Sequence, residues 1–278
     1  MTTAEEFKYR QLPMTEKDFQ LISRVAYQLT GIVLADHKKN MVYSRIVRRV
    51  RKLGLSDFKS YCQILENPDD EELNEFVNAI TTNLTSFFRE SHHFESLRQK
   101  VIPQLLTNRT KKVRIWSAGC STGEEAYSIA IIVHEFFKNR RDWDVRILAT
   151  DLDSNVLETG RQGIYEQARV ESLSQAQIEA SFIINKHQET VTVKDDIKQY
   201  IRFNRLNLLN EWPMKGSFDV IFCRNVVIYF DKATQSKLFR RYANILNPQG
   251  YLFIGHSEQL GEAATLFSYQ GKTEYRKK

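Results

Sequence analysis

The densest chemical signal in this 278-residue sequence is residues 117–125, Ser-Ala-Gly-Cys-Ser-Thr-Gly-Glu-Glu. A β-rich run, VRIWSAG, leads into it, and an apolar helical run leads out. Gly119 and Gly123 let the backbone turn tightly and let a ligand approach with no Cβ in the way. The spacing is not the GxGxxG of a dinucleotide turn. A diphosphate needs the bare positive end of the following helix, yet Glu124 and Glu125 place two carboxylates there. Those acids repel a pyrophosphate and suit a cofactor that carries an ammonium and a sulfonium, as S-adenosylmethionine does. One glutamate at a helix start only complements the helix dipole; the whole strand, glycine, glycine and acid passage points to the sulfonium cofactor.

A second β-rich run, VRILATD, ends on Asp151. An isolated strand-end aspartate is usually a turn or cap residue. Here it follows strand, glycine turn, helix and strand, the place from which an acid accepts hydrogen bonds from a ribose diol. His92 and His93 are adjacent, but no Ser-His-Asp order or metal-ligand helix accompanies them, and they read as packing and capping residues. Cys62, Cys120 and Cys223 are far apart with no metal spacing, which fits a reduced, cytoplasmic compartment.

These residues need a scaffold. From Lys111 onward, β-rich runs at 113–119, 145–151, 218–230 and 251–258 alternate with helical runs at 122–137, near Ser154 and at 233–246. That alternation predicts a parallel sheet covered on both faces, with ligands at the carboxyl ends of its strands. Residues 182–184, 191–193 and 200–203 interrupt it as short strands joined by polar turns, an antiparallel flap spanning about 178–205. Up to about Ile80 the pattern is helical throughout, and the polar TTNLT sequence marks a boundary. The expected domains are therefore 1–80, all-helical, and 81–278, α/β.

Forty Lys and Arg against 34 Asp and Glu give a net charge of +6 and a pI near 9.1, which favours an acidic partner surface. No apolar run approaches the roughly 20 residues of a membrane span, and the first 19 residues lack the apolar core of a secretory signal. Within residues 40–53, Val42, Ile46, Val50 and Leu53 recur at helical spacing and form one apolar stripe. Arg45, Arg48, Arg49 and Lys52 share the neighbouring face, and Gly54 stands where a C-cap belongs. With no interleaved acid, this face reads either as the solvated side of an amphipathic helix or as a docking surface for something acidic. It lacks the aromatics of a single-strand nucleic-acid platform.

The motifs in their order resemble the chemotaxis receptor glutamate methyltransferases, the CheR family. They are GIVLADHKKNMVYSRIVRRVRKLGL (31–55), TTNLTSFFRESHHF (81–94), WSAGCSTGEEAYSIA (116–130), ATDLD (149–153), NLL (207–209), FDVIFCRNVVIYFDK (218–232) and GHSE (255–258). The resemblance spans nearly the whole chain. It implies a Rossmann-like S-adenosylmethionine-dependent methyltransferase domain with a small antiparallel β-subdomain, preceded by an all-α N-terminal domain. It places cofactor contacts on Asn83, Thr85 and Arg89, on Glu125 and Asp151, on Asn207 and Leu208 beside the adenine, and on Arg224 with Asn225. Each has a plainer reading: Asn83 and Thr85 as helix caps, Arg224 as partner to a nearby acid, Phe87, Phe88 and Tyr229 as core aromatics.

The acceptor so implied is a glutamate on the cytoplasmic helices of chemoreceptors, and the product is its γ-methyl ester. A glutamate with a reference pKa of about 4.3 is already a carboxylate at neutral pH and needs no general base. Catalysis then rests on proximity and alignment, with no metal. Arg89 and Tyr229 would orient the glutamate, Arg89 through a loose contact, because a bidentate clamp would quench the nucleophile. The face of Arg45, Arg48, Arg49 and Lys52 would dock on the receptor helices, with no nucleic acid and no membrane insertion. Some family members also hold a receptor C-terminal tail peptide in the β-subdomain; the turn NKHQET (185–190) lacks the glycine associated with that form. The rival readings are a methyltransferase with an RNA or small-molecule acceptor and a non-catalytic cofactor-binding module. Intact Arg89, Tyr229 and Asn225 speak against the module.

Overall fold

A computed structural model describes residues 12–278; most of the amino-terminal stretch read for a secretory signal lies outside the described residues. The backbone divides into two compact units. One runs through Thr82 and takes in Tyr229–Asp231; the other comprises Asn83–Ile228 and Lys232–Lys278.

The first unit holds helices α1 (Glu16–Thr30), α2 (Lys39–Lys52), α3 (Phe58–Glu66) and α4 (Asp70–Ile80). Their starts are written locally. Thr15 and Asp18 form a capping box for α1, while the Asp57 and Asp69 carboxylates accept from the first turns of α3 and α4. Gly31 ends α1 in the left-handed region at φ 71°. Val42, Ile46 and Val50 of α2 enter a core with Phe19, Ile22, Phe58 and Phe76. The fourth member of the expected stripe does not join them. The helix ends at Lys52, so Leu53 turns out to 40% exposure, and Val47 is buried instead. Residues far along the chain complete this unit: Val33 N–H donates to the Tyr229 carbonyl at 2.9 Å, and the Tyr27 hydroxyl donates to Asp231 at 2.8 Å.

The second unit contains strands β1 (Lys112–Ala118), β2 (Asp144–Asp151), β3 (Ile164–Glu166), β4 (Phe182–Asn185), β5 (Thr190–Val193), β6 (Ile201–Arg205), β7 (Phe218–Cys223), β8 (Leu246–Ile254), β9 (Phe267–Gly271) and β10 (Glu274–Lys277). Its longer helices are α5 (Ser91–Ser96), α6 (Glu124–Phe137), α7 (Ser154–Gln162), α8 (Gln175–Ser181) and α9 (Lys232–Ile245). The main sheet has the order β6-β2-β1-β7-β8-β10-β9. β6, β2, β1, β7 and β8 are parallel, and β10 runs antiparallel between β8 and β9. All six β7 residues are buried, the unalternating pattern of a strand covered on both faces. The chain runs outward in one direction from β1 through β2 to β6, and in the other through β7 to β8. The order therefore reverses between β1 and β7, where a parallel α/β sheet offers a ligand crevice.

The antiparallel flap exists, with one strand exchanged. Residues 182–185 and 190–193 pair as expected, but the third strand is β3, giving the order β3-β5-β4. The expected third strand, residues 200–203, is β6, paired in parallel with β2 from Ile147↔Ile201 to Asp151↔Arg205. Alternation of apolar residues marks a strand but does not choose its partner, and three-residue β3 is too short to carry a period. The turn without glycine places Glu189 in the left-handed region at φ 51°.

Candidate cofactor and active site

The turn from β1 into α6 is left-handed at Gly119 (φ 83°) and Gly123 (φ 98°). A Cβ on Gly119 would stand 2.3 Å from Cγ2 of Val226, in the loop after β7, so only glycine fits there. The N–H groups of Gly119 and Cys120 donate to the Thr150 carbonyl at 2.8 and 2.9 Å. Ser121 N–H donates to the Asp151 carboxylate at 2.8 Å, which Asp153 N–H also reaches at 3.0 Å. Burial raises the pKa of Asp151. Asn83 joins the same corner: its amide donates to Asp153 at 2.7 Å, and its carbonyl accepts from the Ser121 hydroxyl at 2.8 Å. The Asp151 carbonyl in turn accepts Leu206 N–H at 2.9 Å, which brings the segment of Asn207 and Leu208 to the tip of β2. Asn207 Oδ1 accepts from Leu209 N–H at 3.0 Å, and the buried Leu208 offers its carbonyl to Arg241 and Trp212.

The two glutamates at the start of α6 part company. Glu124 is fully buried and bound by Arg169 and by the Thr122 hydroxyl, the latter at 2.5 Å. Arg169 also donates to the Thr85 carbonyl at 3.2 Å, so this carboxylate ties the loop before α8 to the 83–90 passage. Glu124 therefore serves the fold. Glu125 faces the switch point: Ser117 donates to it at 2.7 Å and Arg224 at 3.3 Å. Burial pushes the Glu125 carboxyl up, and Arg224 pulls it partly back.

Arg224 is the hub. Its side chain is 2% exposed and lies between Glu125 and Glu90, whose Oε2 is 3.4 Å from Nη2. It donates to the Arg89 carbonyl and sits 5.3 Å over the Phe94 ring. The plainer expectation, an arginine partnered by acids, is thus what the geometry displays, and one of those acids is itself a cofactor candidate. Among the described residues, Arg224 Nε and Glu90 Oε2 have no hydrogen-bond partner. Burial pushes the Glu90 carboxyl up, but Arg224, His256, His93 and Asn225 outweigh it and hold the group at about 2. Phe88 and Glu90 are both left-handed (φ 51° and 55°). Between them, Arg89 sends its guanidinium back to the Leu84 carbonyl at 2.8 Å, on a loop where Leu84 is 77% exposed. Asn225, at φ 58°, holds its amide 3.4 Å from Glu90.

His93 is buried, its Nε2 2.7 Å from the Lys272 carbonyl, and burial pushes its pKa down to about 4, as a packing histidine requires. Glu90, His92 and His93 bring ligand-type atoms within 4.8 Å of one another. The Arg224 guanidinium already supplies the positive charge on that carboxylate, which disfavours a dication there.

The helical unit treats the basic residues unequally. Arg45 donates to the Ile80 and Thr81 carbonyls at 2.9 and 2.7 Å and to the Thr82 hydroxyl at 3.0 Å, so it caps the end of α4. Arg49 is buried and forks onto Glu72 and Glu75; it does not belong to an exposed docking face. Its acids come from α4, which the charge pattern of α2 alone does not contain. Arg48 and Lys52 are exposed, with Lys52 at 3.6 Å from Glu75. Tyr229 lies with this unit, its ring 5.4 Å beneath the Lys38 ammonium.

Comparison with known proteins adds the context of descent. The family described as CheR methyltransferase, SAM binding domain, matches residues 83–276, and its companion, CheR methyltransferase, all-alpha domain, matches residues 17–81. A probable chemotaxis protein methyltransferase of Rhizobium etli is 45% identical over 90% of this chain and 96% of its own. The chemotaxis protein methyltransferase of Salmonella typhimurium is 43% identical over 96% and 92%, and chemotaxis protein methyltransferase 2 of Pseudomonas aeruginosa is 42% identical over 99% and 98%.

Proposed function

The chain belongs to the CheR methyltransferase family, and from that premise we propose that it methylates glutamate side chains of chemoreceptors, using S-adenosylmethionine as donor. The observation that carries this reading is likeness to chemotaxis protein methyltransferases along both units, at 42–45% identity over nine-tenths or more of the chain. The residues at the switch point fit the donor. Glu125 presents a carboxylate for an ammonium, Asp151 presents one for a ribose diol, and Gly119 leaves room for close approach. Asn207 and Leu208, hung from the tip of β2, would flank the adenine. Asn83, Thr85 and Asn225 would complete the donor site, and Arg224 would serve it by holding Glu125 in place.

S-adenosylmethionine supplies an electrophilic methyl whose C–S bonding pair leaves with sulfur, so that no proton moves when a carboxylate attacks. The protein therefore needs alignment rather than a base. Arg89 and Tyr229 are proposed to orient the glutamate. The guanidinium of Arg89 is engaged by one backbone carbonyl, which leaves donors for a single-oxygen contact. Arg48 and Lys52 would steer the enzyme onto acidic receptor helices, and the reaction would then take place on the cytoplasmic side. No helix among the described residues is long and apolar enough to cross a membrane. A receptor tail peptide, where one is present, would add to a free edge of the flap, at β3 or β4.

The test is transfer of a radiolabelled methyl group to receptor cytoplasmic fragments, followed by alkali. Release of labelled methanol identifies a carboxyl ester; label that survives alkali, or that appears only on RNA, overturns the acceptor. Arg89→Ala and Tyr229→Phe should each slow single-turnover transfer at saturating receptor. Rates equal to wild type in both would remove them from the mechanism.

A further inference from the structure

Glu258 closes the GHSE motif after β8, and nothing in the proposed reaction uses it. The residue is 4% exposed, yet its carboxylate is ringed by four backbone N–H donors. Oε2 accepts from Gly255 at 2.6 Å and from Asn225 at 3.0 Å, while Oε1 accepts from Val226 and Val227, each at 2.9 Å. Three of these donors lie in the loop leaving β7, the strand at the switch point. Successive N–H groups converge on one anion only if the loop curls, and Asn225 takes the left-handed conformation that the curl requires.

The curl sets two positions. It presses Asn225 against Gly255, where a Cβ would stand 2.6 Å from Asn225 Nδ2 and 2.8 Å from its backbone nitrogen. It also holds Val226 over Gly119, the first glycine of the β1–α6 turn. A buried carboxylate reached from the neighbouring strand thus shapes the loop that closes on the glycine turn. We infer that Glu258 is a positioning residue for donor binding: it fixes Asn225 and Val226 in the conformation that receives S-adenosylmethionine. The inference rests on the proposed cofactor role of Asn225. A carboxylate is acceptor-only and serves all four donors; a glutamine turns an NH2 group toward two of them.

The experiment measures the Kd for S-adenosylhomocysteine by calorimetry in Glu258→Gln, Asn225→Ala and the double variant. It adds the receptor KM at saturating S-adenosylmethionine. Glu258→Gln and Asn225→Ala should each weaken binding tenfold or more, and the double variant should be little worse than either, because both remove one arrangement. The receptor KM of Glu258→Gln should stay within twofold of wild type, a split that general loss of structure does not produce. Wild-type affinity in Glu258→Gln beside a weakened Asn225→Ala overturns the inference and leaves the cofactor reading standing; so do effects that multiply in the double variant. Wild-type affinity in Asn225→Ala removes the reading of Asn225, and the inference with it. If Glu258→Gln does not fold, Gly255→Ala strikes the same contact from the other side. It should weaken binding tenfold, and unchanged affinity overturns the inference.

Discussion

Each unit buries one arginine between two carboxylates, and the two arrangements differ in how completely they are closed. In the helical unit, Arg49 gives Nε and Nη2 to Glu72 and Nη1 to Glu75, and Glu72 also accepts from the Tyr61 hydroxyl at 2.7 Å. In the sheet unit, Arg224 reaches Glu125 and Glu90 at 3.3 and 3.4 Å, and its Nε and Glu90 Oε2 have no hydrogen-bond partner among the described residues. Similar chemistry therefore serves two ends. A satisfied fork fixes helix against helix, whereas a slack one at a switch point leaves polar capacity for a ligand.

Removing each arginine should break the comparison in different ways. Arg49→Ala leaves the buried Glu72 carboxylate without its cation and should cost about 3–5 kcal/mol of stability, read by denaturant unfolding. Its folded fraction should bind S-adenosylhomocysteine within twofold of wild type; a large loss of affinity would make Arg49 part of the donor site. Next in size is an acid effect at Glu90. Its folded pKa of about 2 lies below its ordinary 4.5. Its contribution is therefore complete above pH 4.5 and disappears as pH falls towards 2. Glu90→Gln should lower stability at pH 7 by about 2–3 kcal/mol, and the gap from wild type should close across that window. A constant gap from pH 7 to pH 2 would refute the charge linkage.

Affinity should separate the arginines further. Arg224→Ala should raise the Kd for S-adenosylhomocysteine by about 10–100-fold, the loss of charge-assisted bonds that hold Glu125; equal affinity would confine Arg224 to the fold. The smallest effect concerns the surface. Reversing Arg48 and Lys52 together to glutamate should raise the receptor KM about 3–10-fold at low salt, with the difference shrinking as ionic strength rises. An unchanged KM would show that the basic face does not meet the receptor.

Much of this was legible in local sequence. Gly119 follows the end of β1, Asp151 ends β2 and Gly123 immediately precedes α6, places that the contiguous β-rich runs and the glycine pair mark locally. What stayed hidden depends on partners far along the chain. Arg49 looked like a surface charge because α2 carries no acid to neutralise it; Glu72 lies 23 residues on. Glu124 and Glu125 looked alike until Arg169 claimed one and Arg224 the other. Residues 200–203 read correctly as a strand but joined the wrong sheet, since side-chain alternation contains no record of the neighbour. Glu90 and Glu258 lie inside the TTNLTSFFRESHHF and GHSE motifs, but their roles depend on buried contacts that no spacing expresses.

The return of Tyr229–Asp231 to the helical unit also bears on the order in which the protein matures during synthesis. The four helices emerge early, but the backbone bond to Val33 and the hydroxyl bond from Tyr27 wait for residues made roughly 150 positions later. At about 5–20 residues per second, that delay is about 8–30 s. A polypeptide stopped before residue 229 would carry the four described helices with that edge unsealed. Interrupting translation there, and probing the nascent chain with a protease, would reveal how far the early helices depend on a latch delivered so late.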